Sequence, residues 1–151
     1  MLRVRSHTPR YRAGMSRPTS AVRLIRATAL TDTAPYAYAA TTEADAGLLF
    51  TAGACPLDES GATVAPGDIA GQARQCVANL VTALDAAGGT LADVAYTRVL
   101  VATTVRADLV AAWTVVHDAF GEHDVPSTLH GVTVLGYPDQ LVEIEAVAAL
   151  R

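Results

Sequence analysis

The sequence lacks lysine altogether, and its eleven basic residues are all arginines. It has only two cysteines, Cys55 and Cys76, whose spacing fits neither a zinc site nor a disulfide framework, so no metal site is expected. No apolar run approaches the roughly 18 residues that a bilayer-spanning helix needs. These absences predict a protein of the reducing cytoplasm with no membrane partner.

Acidic residues are missing from the start of the chain, since the first one is Asp32. Residues 1–26 carry seven arginines, whereas the remainder carries four arginines against fifteen acids. Such a start fits a nucleic-acid arm, a transit peptide or a disordered leader with Met15 as the working initiator. We predict that residues 1–21 form a disordered basic leader, because they lack periodic apolar anchors. The acidic body argues against a nucleic-acid partner.

Residues 22–151 read as one domain of two helices and several strands. Asp68 caps a helix that runs to about Ala87, and a second helix covers about 107–120. The first helix has an apolar stripe at helical spacing, formed by Ile69, Ala73, Cys76, Leu80, Leu84 and Ala87. The second has Leu109, Ala112, Trp113, Val116 and Phe120 on one face.

Strands are predicted over 22–28, 47–56 and 94–103, and an extended segment is predicted at 34–39. Gly53 lies inside the second of these strands, where a glycine indicates a bulge or a close backbone approach. Two apolar runs, 128–135 and 141–148, flank the turn residues 136–139 and predict a C-terminal hairpin. The order β-β-β-α-β-α-β-β predicts an α+β fold, a single sheet with two helices on one face.

The last run alternates in character. Val142, Ile144, Ala146 and Ala148 share one face, whereas Glu143 and Glu145 share the other. Half of the chain is hydrophobic and the mean hydropathy is +0.28, which is high for a soluble monomer. A partner subunit on the face without helices would absorb this excess, and it would turn the two glutamates into candidate site residues.

Three segments resemble the reactive intermediate deaminase (Rid, or YjgF-like) family. They are Leu49-Phe-Thr-Ala-Gly-Ala-Cys-Pro56, Gly67-Asp-Ile-Ala-Gly-Gln-Ala-Arg-Gln75 with Asn79 and Ala87-Gly-Gly89, and Leu141-Val-Glu-Ile-Glu-Ala-Val-Ala148. The resemblance covers about residues 22–150. It implies a chorismate-mutase-like subunit, a homotrimer around a central barrel and small-molecule clefts between subunits. It also implies hydrolysis of enamines and imines, such as 2-aminoacrylate, to 2-keto acids and ammonia without a cofactor.

Site roles follow from the resemblance residue by residue. Tyr36 matches a cleft tyrosine, Gly53 matches a glycine whose amide orients the substrate, and Glu143 matches the glutamate near the attacking water. Ala52 replaces a serine and Trp113 replaces an asparagine. The arginine that clamps the substrate carboxylate in the family aligns with Ser127, or with Thr128 after a one-residue slip, so the chain looks like an arginine-lacking branch.

Losing a desolvated ion pair between arginine and the substrate carboxylate costs binding free energy on the order of 3 kcal/mol or more. Efficient turnover of 2-imino acids is therefore not expected. Cys55 lies at the cleft by resemblance, with a buried inert thiol as the alternative. His130 could act as a base or partial cation, or only pack. We expect a structural or interfacial role for Glu145. The chain is therefore interpreted as an enzyme that processes a reactive imine or enamine, or alternatively as a non-catalytic small-molecule-binding or regulatory trimer.

Overall fold

The computed structural model of the protein describes residues 20–151. The predicted leader lies outside the described residues except for Ser20 and Ala21, so it stays a prediction. The strands are β1 (Val22–Ile25), β2 (Ala39–Thr42), β3 (Gly47–Phe50), β4 (Val94–Ala102), β5 (Ser127–Val132) and β6 (Val142–Leu150). The helices are α1 (Ile69–Ala86) and α2 (Arg106–Phe120). This order confirms the predicted one, and no described helix is long and apolar enough to cross a bilayer.

Four strands form the main sheet in the order β3-β6-β4-β5, and both helices pack on one of its faces. Strand β6 is antiparallel to both of its neighbours, while β5 runs parallel to β4. The predicted α+β fold with two helices on one face is confirmed. The single sheet is a simplification, because β1 and β2 are hydrogen-bonded only to each other as a separate two-stranded sheet.

The predicted C-terminal hairpin is wrong. Strands β5 and β6 are not neighbours, because β4 lies between them and bonds to both. The reason is that β4, α2 and β5 form a β-α-β unit, in which a helical crossover places the second strand parallel to the first. The residues between β5 and β6 therefore pass over the end of β4 instead of making a tight turn.

Helix α1 begins where the sequence predicts, since the Asp68 carboxylate accepts a 2.9 Å hydrogen bond from the Gly71 amide. The predicted stripe is confirmed at its centre, where Ala73, Cys76, Leu80 and Leu84 are fully buried. Ala87 is exposed, so the stripe ends one turn earlier than expected. Gln72 is also fully buried, and its polar side chain was not part of the predicted stripe.

The face of the sheet without helices is called the open face here, and it carries Leu48, Phe50, Tyr96, Arg98, Glu143 and Glu145. The alternation predicted for β6 is confirmed, because Val142, Ile144, Ala146 and Ala148 are buried toward the helices. Phe50 is 70% exposed and Leu48 is 56% exposed in the single chain. The open face thus combines apolar rings with the two carboxylates.

Candidate functional site

The chain after β3 bulges at the glycine that the sequence singled out. Thr51 donates its amide to Ala146 and Ala54 donates to Ile144, at 3.0 and 2.8 Å, so β3 carries one residue more than β6 over this stretch. A side chain at Gly53 would place its Cβ 2.8 Å from Cγ of Glu143, and nearer still to the carboxylate. The predicted close approach is confirmed, because Glu143 occupies the space where another residue would have its side chain.

The Glu143 carboxylate is anchored through one oxygen. Its Oε2 accepts hydrogen bonds from Nε2 of Gln140 at 3.0 Å and from Sγ of Cys55 at 3.4 Å. Within residues 20–151, neither Oε1 of Glu143 nor the Gly53 amide makes a hydrogen bond. One carboxylate oxygen and one backbone N–H at the same bulge are therefore available to a water molecule or ligand.

Cys55 is a thiol at neutral pH. Burial first, and then the hydrogen bond and negative charge of Glu143, raise the pKa of Cys55 to about 11. A thiol that donates to a carboxylate in this way is not the thiolate that nucleophilic catalysis needs. Cys55 therefore contributes a hydrogen bond at the site. Cys76 is buried in the helix-packed core, where burial raises the pKa of its thiol further.

Polar side chains of α1 hold the two segments that form the site. Asn79 donates to the carbonyl oxygens of Cys55 and Leu57 at 2.8 and 2.9 Å. Gln72 donates to the carbonyl of Asp139 at 2.8 Å and accepts from the amide of Leu141 at 2.7 Å. The helix therefore anchors the chain after the bulge through Asn79 and the entry to β6 through Gln72.

A groove of about 440 Å³ runs beside the bulge. Ala52, Gly53 and Cys55 form part of its wall, and Asn79 and Tyr137 add polar groups. Leu49, Phe50, Ala54, Leu57, Leu80 and Ala83 give it a mainly apolar lining. This volume lies within the range of small-molecule pockets. Glu143 does not line the groove, but it contacts Gly53 and Cys55, which do.

Residues 27–150 match the family described as Endoribonuclease L-PSP, which includes the YjgF and Rid proteins. The chain belongs to the YjgF/Rid family. It is similar to the Rid protein YyfB of Yersinia pestis, with 30% identity over 86% of this chain and 99% of that chain and a TM-score of 0.79. Rv2704 of Mycobacterium tuberculosis is 29% identical over 85% of this chain and 99% of its own, with a TM-score of 0.58.

The YjgF protein of Escherichia coli is 28% identical over 79% of this chain and 91% of its own, with a TM-score of 0.60. No match was found among curated protein sequences. The resemblance derived from the three sequence segments is therefore confirmed at the level of family and fold.

Three predicted site residues of this Rid-family chain lie on the helix side of the sheet, away from Glu143. The rings of Tyr36 and Trp113 meet edge to face with centroids 6.2 Å apart. Ser127 bonds to the buried Thr97 hydroxyl, and the space between it and Trp113 is only about 10 Å³. Such a volume holds one water at most. Within one chain, the structure does not bring these residues to the carboxylate.

The other two predicted residues lie on the open face of β5. Thr128 shares a 2.9 Å hydrogen bond with the hydroxyl of Tyr96. His130 is exposed and lies opposite Leu100 of β4, which in turn lies opposite Glu143. Successive strands are about 4.8 Å apart, so His130 and Glu143 are two strand spacings apart in one row.

The two positions predicted to replace a clamping arginine, Ser127 and Thr128, point in opposite directions, as consecutive strand residues must. Only Thr128 shares a face with Glu143. The arginine beside it is Arg98 of β4, which pairs in register with Thr128 and forms a 2.5 Å ion pair with Glu145. Among residues 20–151, no group of three potential ligands could hold a metal ion.

Sequence reasoning missed Gln140, which is 4% exposed and contacts Glu143 directly. It lies between the predicted turn residues 136–139 and the predicted strand 141–148, where a glutamine is expected to face solvent. Its position three residues before Glu143 is the one sequence signal for a contact between the two side chains. The incorrect hairpin prediction led us to overlook that signal.

Proposed function

We propose that this Rid-family protein is a homotrimer that hydrolyses or otherwise processes a reactive imine or enamine metabolite in a cleft between subunits. The proposal rests on the carboxylate of Glu143. It is held through Oε2 above Gly53, while its Oε1 and the Gly53 amide have no partner among residues 20–151. A basic oxygen and a hydrogen-bond donor at one bulge suit the addition of water to a polarised C=N bond.

The reaction needs few groups. Oε1 of Glu143 accepts a hydrogen bond from a water, which adds to the imine carbon while its proton passes through the carboxylate to the nitrogen. The hydroxyl proton of the resulting amino alcohol then moves to its nitrogen, the C–N bond breaks, ammonia leaves and a C=O bond forms. An enamine first takes a proton on carbon and gives up a proton from its nitrogen, which converts it to the imine. The Gly53 amide donates to the substrate and so orients it.

A neighbouring copy is needed to complete the cleft. Tyr36 and Trp113 lie across the sheet from Glu143 of their own chain, so these two rings can stand beside a Glu143 carboxylate only if it belongs to another subunit. The exposed Phe50 and Leu48 give the open face the apolar area for such an association. The same argument supports the homotrimer.

The substrate is proposed to lack a simple carboxylate. The position of the family arginine holds Ser127 or Thr128, and neither hydroxyl can make a bidentate ion pair. Arg98 is already paired with Glu145. An aromatic cleft wall containing Trp113 favours a more apolar imine than one derived from an amino acid.

Two imine sources test the proposal. The first is 2-aminoacrylate released by a dehydratase, and the second is a carboxylate-free imine released from an arylalkylamine by an amine oxidase. We expect acceleration of carbonyl and ammonia release to be weak for the first and clear for the second. Glu143→Gln should lower the rate at least about 100-fold, whereas Glu145→Gln should leave it intact. If the protein accelerates product release from neither source, the hydrolase proposal is wrong and a binding trimer is favoured. If the protein sediments as a monomer, the proposed cleft between subunits is wrong as well.

A further inference from the structure

Gln140 is a buried side chain with every polar atom engaged. Its Nε2 donates to Oε2 of Glu143 at 3.0 Å and to the carbonyl of Val142 at 3.2 Å. Its Oε1 accepts from the amide of Tyr137 at 3.0 Å. The amide group is therefore fixed in one orientation, with an N–H directed at the carboxylate.

We infer that Gln140 is a positioning residue for Glu143, acting together with the thiol of Cys55 to hold Oε2 so that Oε1 faces the site. This inference rests on the proposed function, in which Glu143 acts on a water molecule. A glutamate has three side-chain torsions, and immobilising such a side chain costs conformational entropy. Two donors on one oxygen offset that cost before a ligand arrives.

A comparison with Glu145 shows the effect of holding Glu143 by neutral donors. Glu145 forms an ion pair with the guanidinium of Arg98, so a positive charge lies beside its carboxylate. Glu143 is held by an amide and a thiol instead, so no cation of residues 20–151 neutralises it. A carboxylate without a cationic partner can therefore face a cationic iminium group directly.

Gln140 also supports the backbone, through its bonds to Tyr137 and Val142. A purely structural role would consist of those two bonds alone. Gln72 provides the matched control, because it is a fully buried glutamine that holds the same segment through Asp139 and Leu141 without touching Glu143. Replacing either glutamine by methionine keeps the side-chain length and removes the hydrogen bonds.

Alkylation of Cys55 reports the position of Glu143 without any need for activity. Burial first, and then the hydrogen bond and charge of Glu143, raise the pKa of Cys55 to about 11, while a hydrogen bond from Gln140 acts in the opposite direction. A carboxylate that moves away therefore increases the thiolate fraction and the reaction rate at fixed pH. The experiment measures iodoacetamide labelling at pH 8.5 on the full chain, with mass spectrometry to separate Cys55 from the buried Cys76.

We expect Glu143→Gln to accelerate labelling roughly tenfold, as a one-unit fall in a thiol pKa would. Gln140→Met also removes the Gln140 hydrogen bond that lowers the pKa of Cys55, so its effect is measured through Glu143→Gln. Glu143→Gln should accelerate labelling little in a Gln140→Met background and fully in a Gln72→Met background. The inference is overturned if Glu143→Gln accelerates labelling as much in the Gln140→Met background as in wild type, or if Gln72→Met abolishes that acceleration as well. An unchanged rate in Glu143→Gln would also overturn it, because the contact would then be absent in solution.

Activity provides the second measurement. Gln140→Met should lower kcat about tenfold with little change in KM, and Gln72→Met should lower only thermal stability. If the wild-type protein does not hydrolyse imines, the proposed function is wrong. The labelling series would still decide whether Gln140 holds Glu143. The two failures are therefore distinguishable.

Discussion

The helix-covered face of the main sheet is aliphatic and buried, whereas its open face carries ions and exposed rings. Val99, Val101 and Ile144 on the covered side have no exposed surface, and Phe50 on the open side is 70% exposed. Both faces are built by the same strands, whose side chains alternate. The covered face contributes the stability of the single chain. The open face contributes little to it and is therefore available for association and chemistry.

The two glutamates of β6 refine this comparison. Glu143 and Glu145 lie on the same face, two residues apart. Glu145 pairs with Arg98, while Glu143 lies over a glycine and is held by neutral donors. The difference separates a carboxylate with a cationic partner from one whose charge remains available.

A charge on the open face should have the largest effect. Phe50→Asp would bury an unpaired carboxylate at the proposed subunit contact, at a cost of several kcal/mol. We expect the oligomer to dissociate into folded monomers, measured by sedimentation velocity and circular dichroism. Val110→Asp, at a 55% exposed position of α2, is the matched control and should keep the wild-type mass. An unchanged mass for Phe50→Asp would exclude this face from the contact.

A cavity on the covered face should have the next largest effect. Leu80→Ala removes a fully buried side chain of α1 and should lower the free energy of unfolding by about 3 kcal/mol. Val81→Ala, at the adjacent 42% exposed position, should cost less than about 0.5 kcal/mol. Urea denaturation measures both values. Equal losses would mean that the α1 stripe is not packed as described.

A methyl group at the bulge should separate chemistry from stability. Gly53→Ala pushes against the end of a flexible Glu143 side chain, so the carboxylate must move while the fold stays nearly intact. We expect a loss of unfolding free energy below about 1 kcal/mol, with faster labelling of Cys55. Gly47→Ala has only an ordinary 3.9 Å contact and should change neither quantity. Slower or unchanged labelling in Gly53→Ala would contradict the close approach.

Removing the Arg98 side chain should have the smallest effect. The Arg98 and Glu145 side chains are 53% and 32% exposed in the single chain. Arg98→Ala should therefore lower the free energy of unfolding by less than about 1 kcal/mol, and 1 M salt should abolish the difference. Arg74→Ala at the exposed pair with Asp68 is the control. A loss above about 2 kcal/mol that resists salt would show that a neighbouring subunit buries the pair.

Local patterns were sufficient to predict the order of the elements and the irregularity at Gly53. The Asp68 cap and the stripe through Leu80 gave α1, and the alternation around Ile144 gave β6 and its two faces. The glycine within a strand pattern correctly indicated the close approach at Gly53. These features depend on residues near each other in the chain, which is the range over which periodicity and capping act.

Strand neighbours and buried polar contacts could not be predicted in the same way. The hairpin prediction failed because β4 accepts both β5 and β6 as partners, a competition that no local pattern reveals. Gln140 was missed for the same reason, since only the packing of its segment against the sheet turns a loop glutamine into a buried donor.

The sequence by itself determined the order of elements, the apolar face of each helix, and the presence of two glutamates on the face of β6 that turns away from the helices. Only the tertiary structure decided which strands pair and which glutamate is held by neutral donors above a glycine. Periodicity is a property of consecutive residues, whereas the Gln140, Cys55 and Glu143 contact joins side chains that only the folded sheet brings within 3.4 Å or less.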